Sequence, residues 1–214
     1  VIPANYGKIT SLALDPVEKK PLRRFFPGSL ILSVGSFGCN YRCPFCQNHG
    51  ISQISERDAQ YRYVPPESLA SMALDLRSRG NIGIAFTYNE PSVSWEYILD
   101  TAEAMKGTDL KLALVTNGGA SPEVWDSLMA VTDAANIDLK SFSERFYRRI
   151  GGDLETVKRN IEAPARSCHV ELTTLIIPGE NDSPDEMSQI AEWVSSVDPE
   201  IPLHVTRFFP RWRM

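Results

Sequence analysis

Residues 30–46 join an apolar stretch to a loop that holds three of the four cysteines: Leu-Ile-Leu-Ser-Val-Gly-Ser-Phe-Gly-Cys-Asn-Tyr-Arg-Cys-Pro-Phe-Cys. The apolar part, Leu30–Ser36, predicts a buried β-strand. The loop places Cys39, Cys43 and Cys46 within eight residues. Three thiols so close together cannot pair among themselves without leaving one over, so a disulfide framework is a poor explanation. Thiolates of one loop can instead converge on a soft metal centre.

The spacing of the three cysteines, C-x3-C-x2-C, fits three corners of a [4Fe–4S] cluster. Three protein ligands leave one iron open, and an open coordination position implies a small-molecule ligand. A zinc site completed by His49, which stands three residues after Cys46, is the alternative. The fourth cysteine, Cys168, stands beside the apolar run 170–177 and is expected to be a buried core thiol rather than a ligand.

Five further apolar runs follow the first strand at intervals of roughly 34 residues, close to the length of one βαβ unit. They predict strands at Ile82–Thr87, Leu112–Asn117, Ala134–Leu139, His169–Ile176 and Leu203–Phe208. Helix-start signals stand between them, and the clearest is the capping box from Ser183 to Glu186. Helices are also predicted from Pro66 and Pro122 and near residues 93–105 and 153–161.

Six strand–helix alternations are too few for a closed eight-fold barrel, which needs roughly 250 residues. A partial barrel or a doubly wound sheet would fit, and we expect an α/β partial (β/α)6 TIM-like barrel with parallel strands. The chain is expected to form a single domain, 1–214. It would comprise an N-terminal extension over 1–29, where residues 6–22 predict a strand and a turn, and the partial barrel over 30–214. Both ends look cut, so part of the natural protein is expected to lie outside this span.

The composition is that of an ordinary globular chain. Its 214 residues include 22 lysines and arginines against 27 aspartates and glutamates, which gives a net charge of −5. This acidic balance argues against a protein that binds nucleic acid independently of sequence, and it leaves room for a local basic site. No apolar stretch approaches the roughly 20 residues that span a bilayer, and no signal peptide opens the chain. We therefore expect a soluble cytoplasmic protein with no membrane partner.

Polar residues follow the predicted strands at the end where parallel sheets bind ligands. The second strand leads into Asn89-Glu90, the third ends in Thr116-Asn117, and the fourth carries Asp138 near its end and leads into Lys140. Each has a plainer explanation: Glu90 can favour a helix start, Asp138 and Lys140 can be an exposed pair, and residues 116–119 can be a turn. Their joint placement beside the cysteine loop favours a binding site.

The cysteine spacing, with Phe45 before the last cysteine, resembles the signature of radical S-adenosylmethionine (SAM) enzymes. Residues 38–48 resemble the pyruvate formate-lyase activating enzyme relatives within that superfamily. Other segments make the chain similar to the branch called the AmmeMemoRadiSam system radical SAM enzyme: 15–21, 26–29, 87–91, 136–140 and 207–210. The resemblance covers essentially the whole chain.

The resemblance implies a role for each candidate residue. The three cysteines, Cys39, Cys43 and Cys46, would hold a [4Fe–4S] cluster whose fourth iron binds the amino and carboxylate groups of SAM. Asn89 and Glu90 stand where the activating enzymes carry a Gly-Gly-Glu motif. Glu90 would therefore accept hydrogen bonds from the SAM ammonium group. Phe45 and Asn48 would contact the adenine of SAM, and Thr116 and Asn117 would contact its ribose or carboxylate. Asp138 and Lys140 match the Asp-Leu-Lys motif of the activating enzymes, and His204 would lie near the adenosyl group. By itself, a histidine such as His204 is more often a hydrogen-bonded core residue.

The implied function is that of an oxidoreductase that cleaves SAM reductively to methionine and a 5′-deoxyadenosyl radical, which abstracts hydrogen from a substrate. Formation of a glycyl radical on a partner protein is one version of this function. The runner-up within the enzyme class is radical modification of another protein, a nucleic acid or a small molecule. The family also implies an electron donor such as flavodoxin or ferredoxin. A non-catalytic, zinc-stabilised binding module is the competing hypothesis.

Overall fold

The computed structural model describes residues 3–164 and 168–214, in which β-strands alternate with α-helices. The strands are β1 (Lys8–Ile9), β2 (Ser11–Pro16), β3 (Leu30–Gly35), β4 (Arg62–Tyr63), β5 (Asn81–Phe86), β6 (Lys111–Thr116), β7 (Ala134–Asp138), β8 (His169–Ile176) and β9 (Leu203–Arg207). The helices are α1 (His49–Ser52), α2 (Pro66–Asp75), α3 (Trp95–Ala104), α4 (Pro122–Met129), α5 (Glu144–Ile150), α6 (Leu154–Glu162) and α7 (Pro184–Val197). None of the helices in this described part of the chain is long and apolar enough to cross a bilayer.

Within the described residues, seven strands form one curled sheet in the order β2-β3-β5-β6-β7-β8-β9. Neighbours from β3 to β9 are parallel, and β2 pairs antiparallel with β3 at one edge. The short strands β1 and β4 form a separate antiparallel pair. The predicted partial barrel is therefore confirmed, with an antiparallel edge strand added by the N-terminal extension.

The predicted strands are all present, with ends that differ by at most one residue. The predicted helix near 93–105 begins instead as a 3-10 turn, Pro91–Ser94, before α3. Helix α5 was not predicted, although Ser143 caps it by accepting a hydrogen bond from the Phe146 N–H. Residues 1–2 of the predicted extension lie outside the described residues.

The N-terminal extension closes the floor of the barrel, at the amino ends of the parallel strands. An apolar cluster there joins the extension to the strands: Val17, Leu22, Phe25, Ile31, Ala85, Ala113 and Ala134. The fully buried carboxylate of Glu171, on β8, accepts hydrogen bonds from the backbone N–H groups of Arg23 (2.9 Å) and Arg24 (2.7 Å). With the floor filled in this way, the carboxyl ends of the strands are left as the open face.

Candidate functional site

A cavity of about 360 Å³ opens at the carboxyl ends of the parallel strands. It is lined by every residue predicted for the site except His204: Cys39, Cys43, Phe45, Cys46, Asn48, Asn89, Glu90, Thr116, Asn117, Asp138 and Lys140. The order of the strands in the sheet explains the convergence, because parallel neighbours end at the same edge.

Hydrogen bonds fix the cysteine loop to the segment that follows β6 on the cavity wall. The Asn40 side chain donates to the Gly119 carbonyl (2.9 Å) and accepts from the Asn117 side chain (2.8 Å). Asn117 Nδ2 also lies 3.6 Å from Cys39 Sγ. Burial, together with the nearby charge of Glu90, raises the pKa of Cys39 to about 12. The free thiol therefore stays protonated, and a bound cationic metal centre would displace its proton.

The zinc alternative finds no support at His49. Its Nδ1 lies 3.1 Å from the Cys46 carbonyl oxygen, and its ring stacks on Trp212 at 5.5 Å. No three histidine, cysteine or acidic side chains among the described residues form a group suited to a single metal ion. Cys168 precedes β8 at the floor end of the barrel, half-buried, so it cannot complete a site at the opposite end.

Glu90 is a buried carboxylate beside the cavity. Its Oε1 accepts hydrogen bonds from the Ser92 N–H (3.0 Å) and the Thr116 hydroxyl (2.7 Å), and its Oε2 accepts one from the Asn117 N–H (2.8 Å). Burial raises the pKa of Glu90 even though these hydrogen bonds favour the ionised form. No lysine, arginine or histidine in the described part of the chain forms an ion pair with it. The plainer helix-start explanation also holds, since Glu90 caps the 3-10 turn.

Asn89 and Asn48 hold the segments around the cavity together. The Asn89 side chain accepts from the Ser36 N–H (2.9 Å) and donates to the Gly38 carbonyl (3.1 Å). Asn48 Nδ2 donates to the carbonyl of Tyr88 (2.7 Å). Tyr88 has a φ of +73°, a left-handed conformation that glycine adopts more easily than tyrosine.

Asp138 and Lys140 form an ion pair on the cavity wall, with Lys140 Nζ 2.7 Å from Asp138 Oδ2. Burial alone would lower the pKa of Lys140, but the adjacent Asp138 outweighs it and the pKa is raised. The Lys140 backbone N–H donates to the Tyr147 hydroxyl (3.0 Å), which fixes the segment after β7. The pair is therefore partly buried and charged rather than an ordinary exposed pair.

His204 is the predicted site residue that does not reach the cavity. Its Nε2 lies 2.6 Å from Oε2 of Glu171, and the other oxygen of Glu171 lies 2.8 Å from Nε2 of His169. Thr206, two residues further along β9, lines the cavity instead. Residues two apart on a strand share a face, so His204 stands one position below the cavity, as a hydrogen-bonded interior histidine.

Sequence reasoning missed a polar group beneath Tyr88. The Tyr88 hydroxyl donates to Asp15 Oδ2 (2.7 Å), and Lys20 Nζ donates to the same oxygen (3.0 Å) while lying 4.5 Å from the Tyr88 ring centroid. Burial alone would raise the pKa of Asp15, but these two hydrogen bonds hold it well below its usual range. The available signal was segment 15–21, which carries both charged residues.

Known proteins share this fold and this sequence pattern. Residues 33–194 match the Radical SAM superfamily. The chain is 36% identical over 212 residues to an uncharacterized protein of Methanocaldococcus jannaschii, covering 98% of this chain and 62% of that protein. It is 23% identical to the pyruvate formate-lyase 1-activating enzyme of Escherichia coli, covering 73% of this chain and 65% of that enzyme. The structure of Streptococcus suis SuiB bound to S-adenosylmethionine superposes with a TM-score of 0.64 at 11% identity, covering 86% of this chain and 43% of SuiB.

The chain thus spans less than two thirds of the length of these relatives. The cofactors of the superfamily are SAM and a [4Fe–4S] cluster, and its electron requirement implies a donor. The AmmeMemoRadiSam branch stays a prediction, because the matches establish membership at the level of the superfamily. By its sequence match over residues 33–194 and by its partial barrel, this chain belongs to the radical SAM superfamily.

Proposed function

We propose that this protein cleaves SAM reductively at a [4Fe–4S] cluster held by Cys39, Cys43 and Cys46, and that the 5′-deoxyadenosyl radical abstracts hydrogen from a substrate. The observation that supports this most is the meeting, at one cavity, of three thiols and a buried carboxylate that has no cationic partner among the described residues. When bound, the reduced cluster supplies the electron that breaks a carbon–sulfur bond of SAM.

The residues present fit both cofactors. Thiolates are the usual ligands of iron–sulfur clusters, and three of them leave one iron free for SAM. Glu90 suits the SAM ammonium group because it is buried and its hydrogen-bond donors within the described part of the chain are all neutral. Lys140 is held by Asp138 and can donate to the carboxylate or ribose oxygens of SAM.

Apolar groups beside the cysteine loop help to exclude water. Phe45 is 5% exposed and lies 5.9 Å from the ring of Phe146 on α5. A dry wall strengthens the electrostatic interactions of Glu90 and Lys140 and protects a radical from quenching by solvent.

We propose a protein as the substrate, because two relatives are named as activating enzymes of pyruvate formate-lyase and of 4-hydroxyphenylacetate decarboxylase, and we propose a glycyl radical as the product. The sequence identity to the pyruvate formate-lyase 1-activating enzyme is 23% over part of each protein. Relatives of this kind share their cofactor chemistry more often than their substrate. Radical modification of another protein, a nucleic acid or a small molecule is the alternative. Incubation with deuterated candidates, SAM and reductant identifies the substrate as the molecule that loses its label to 5′-deoxyadenosine.

The electron donor we propose is an acidic carrier such as flavodoxin or ferredoxin. Arg42 is exposed within the cysteine loop, and the Arg213 N–H donates to the carbonyl of Pro44 (3.1 Å), which brings a second exposed arginine beside that loop. Neither guanidinium has an ion-pair partner among the described residues. Local positive charge on an acidic chain suits an acidic partner.

Anaerobic reconstitution with iron and sulfide tests the proposal. We expect a brown protein with about four irons per chain that converts SAM to 5′-deoxyadenosine when dithionite is added. A colourless protein that binds one zinc per chain and leaves SAM intact would show that the binding-module hypothesis is correct instead.

A further inference from the structure

The ring of Tyr41, in the cysteine loop, lies in a slot between two glycines. A Cβ atom on Gly119 would come within 2.3 Å of the Tyr41 hydroxyl oxygen, and one on Gly152 would come within 2.6 Å of its Cζ. Neither glycine has a positive φ, whereas their neighbours Gly118 (+69°) and Gly151 (+81°) do. Backbone conformation therefore explains glycine at 118 and 151, and close approach of Tyr41 explains it at 119 and 152.

The slot ties the cysteine loop to two distant parts of the chain. Gly119 follows β6, in the segment where Asn117 contacts Cys39, and Gly152 follows α5. The Tyr41 ring also meets that of Tyr147 edge-to-face, with centroids 6.4 Å apart. Tyr147 accepts a hydrogen bond from the Lys140 N–H, so the slot is continuous with the wall that holds Lys140.

The backbone around Tyr41 is held as firmly as its ring. The Tyr41 N–H lies 3.3 Å from Cys39 Sγ, and its carbonyl accepts from Gln53 Nε2 (2.9 Å). The next N–H, of Arg42, donates to the Ile150 carbonyl (2.7 Å). The ring itself is held by shape, because the buried Tyr41 hydroxyl has no hydrogen-bond partner of normal geometry among the described residues. A movement of the ring would therefore carry the first two cysteines with it.

We infer that Tyr41 is a positioning residue for the cluster, whose fit between Gly119 and Gly152 sets where Cys39 and Cys43 stand relative to Glu90. The inference rests on the proposed function, because it assigns the slot a purpose in holding iron. Tyr41 itself needs no contact with substrate. Its ring acts through the two cysteines on either side of it.

A double-mutant cycle between Tyr41→Ala and Gly152→Ala tests the slot in the apo protein. Gly152→Ala alone should lower Tm, because the new methyl group collides with the ring. In the Tyr41→Ala background the same change should cause no further decrease, because the ring is gone. Gly151→Ala is the control: its penalty comes from a φ of +81° with open space around the Cβ, so it should be equal in both backgrounds. An equal decrease in Tm for Gly152→Ala in both backgrounds would show that the Tyr41 ring does not pack against Gly152.

Loss of iron from the reconstituted protein to a chelator tests the positioning role. Gly152→Ala and Tyr41→Ala should each lose iron about tenfold faster than the wild type, as is typical when a group that orients a metal ligand is removed. Tyr41→Phe should retain iron like the wild type, because the ring still fills the slot. Coupled Tm values with unchanged iron loss would refute the positioning role. If the wild type binds no cluster, the proposed function fails, and the Tm cycle still reports on the slot.

Discussion

Glu90 and Glu171 are both buried glutamates of the same barrel, one beside the cavity and one at the floor, and their pKa values move in opposite directions. Burial raises the pKa of Glu90. Burial alone would do the same to Glu171, but hydrogen bonds from His169, His204 and the backbone of the extension lower its pKa to about 2. The difference lies in the partners, because Glu171 accepts hydrogen bonds from two histidine side chains and two backbone N–H groups, and hydrogen bonds to the ionised form lower the pKa of a carboxylate.

The comparison separates a carboxylate that is held by partners within the protein from a carboxylate that can still bind a cationic ligand. Glu171 has four partners, and two of them are backbone groups of the N-terminal extension, so its charge serves to hold the floor closed. Glu90 has three neutral donors and retains acceptor capacity for a cation at the cavity. A ligand with a positive ammonium group, such as SAM, supplies what Glu90 lacks.

The largest effect should come from removing a thiol at the cavity. Cys43→Ala should reduce formation of 5′-deoxyadenosine to background, because two cysteines cannot hold the cluster. Cys168→Ala is the matched control, since Cys168 stands at the floor end of the barrel. Mass spectrometry of 5′-deoxyadenosine measures the activity of both variants. Full activity in Cys43→Ala, or an equal loss of activity in Cys43→Ala and Cys168→Ala, would show that the cluster is not held by the cysteine loop.

Glu171→Gln should be the more destabilising of the two glutamate substitutions. Removing the carboxylate from a buried hydrogen-bonded network leaves donors without an acceptor, and we expect a decrease of about 3 kcal/mol in the free energy of unfolding. Denaturant titration of apo protein measures it, with Glu90→Gln as the control, for which we expect a change within about 1 kcal/mol. A larger decrease in the free energy of unfolding for Glu90→Gln than for Glu171→Gln would contradict the assignment of Glu171 to the structure and of Glu90 to the ligand.

The pH dependence of stability gives the sign of the Glu171 contribution. The pKa of Glu171 falls from 4.5 to about 2 on folding, so its stabilisation is complete above pH 4.5 and is lost as the pH falls toward 2. Acid titrations should therefore be flatter over this range for Glu171→Gln than for the wild type. A parallel pair of curves would contradict the assignment.

Glu90→Gln should act on SAM rather than on the fold. Losing a charge-assisted hydrogen bond should weaken SAM binding by about 10- to 100-fold with the iron content unchanged. Isothermal titration of the reconstituted protein measures the affinity, and Glu171→Gln is expected to bind SAM like the wild type. Equal SAM affinity in Glu90→Gln and the wild type would remove Glu90 from the SAM site.

The smallest expected effect is the pH dependence of SAM affinity. Since burial raises the pKa of Glu90, the carboxylate ionises above its ordinary range, and SAM binding should strengthen as the pH rises through that pKa. The change is at most about tenfold per pH unit for one group. It should be absent in Glu90→Gln, and its persistence there would assign the titration to another residue.

The sequence was sufficient to predict features that depend on local order along the chain. The alternation of apolar runs and capping signals predicted the strands, and the rule that ligands bind where parallel strands end brought Glu90, Asn117 and Asp138 to one cavity. Cys39, Cys43 and Cys46 were recognisable because they share one loop.

The features that sequence reasoning missed depend on contacts between distant segments. The Glu171 carboxylate meets the backbone of Arg23, 148 positions away, and backbone groups leave no side-chain signal in the sequence. The position of His204 relative to the cavity also depends on such a contact, because its Nε2 meets Glu171 on β8 while Thr206, two residues further along β9, lines the cavity. The slot for Tyr41 needs Gly119 and Gly152 brought together by the fold.

The most direct test of the account is the electron paramagnetic resonance spectrum of the reduced, reconstituted protein with and without SAM. We predict that SAM changes the spectrum of the reduced cluster, because in the proposed site SAM would bind the iron left open by Cys39, Cys43 and Cys46, and that 5′-deoxyadenosine and methionine then accumulate. The Glu90→Gln variant should require a higher SAM concentration for the same change. A cluster signal that is identical with and without saturating SAM, with SAM recovered intact, would contradict the account.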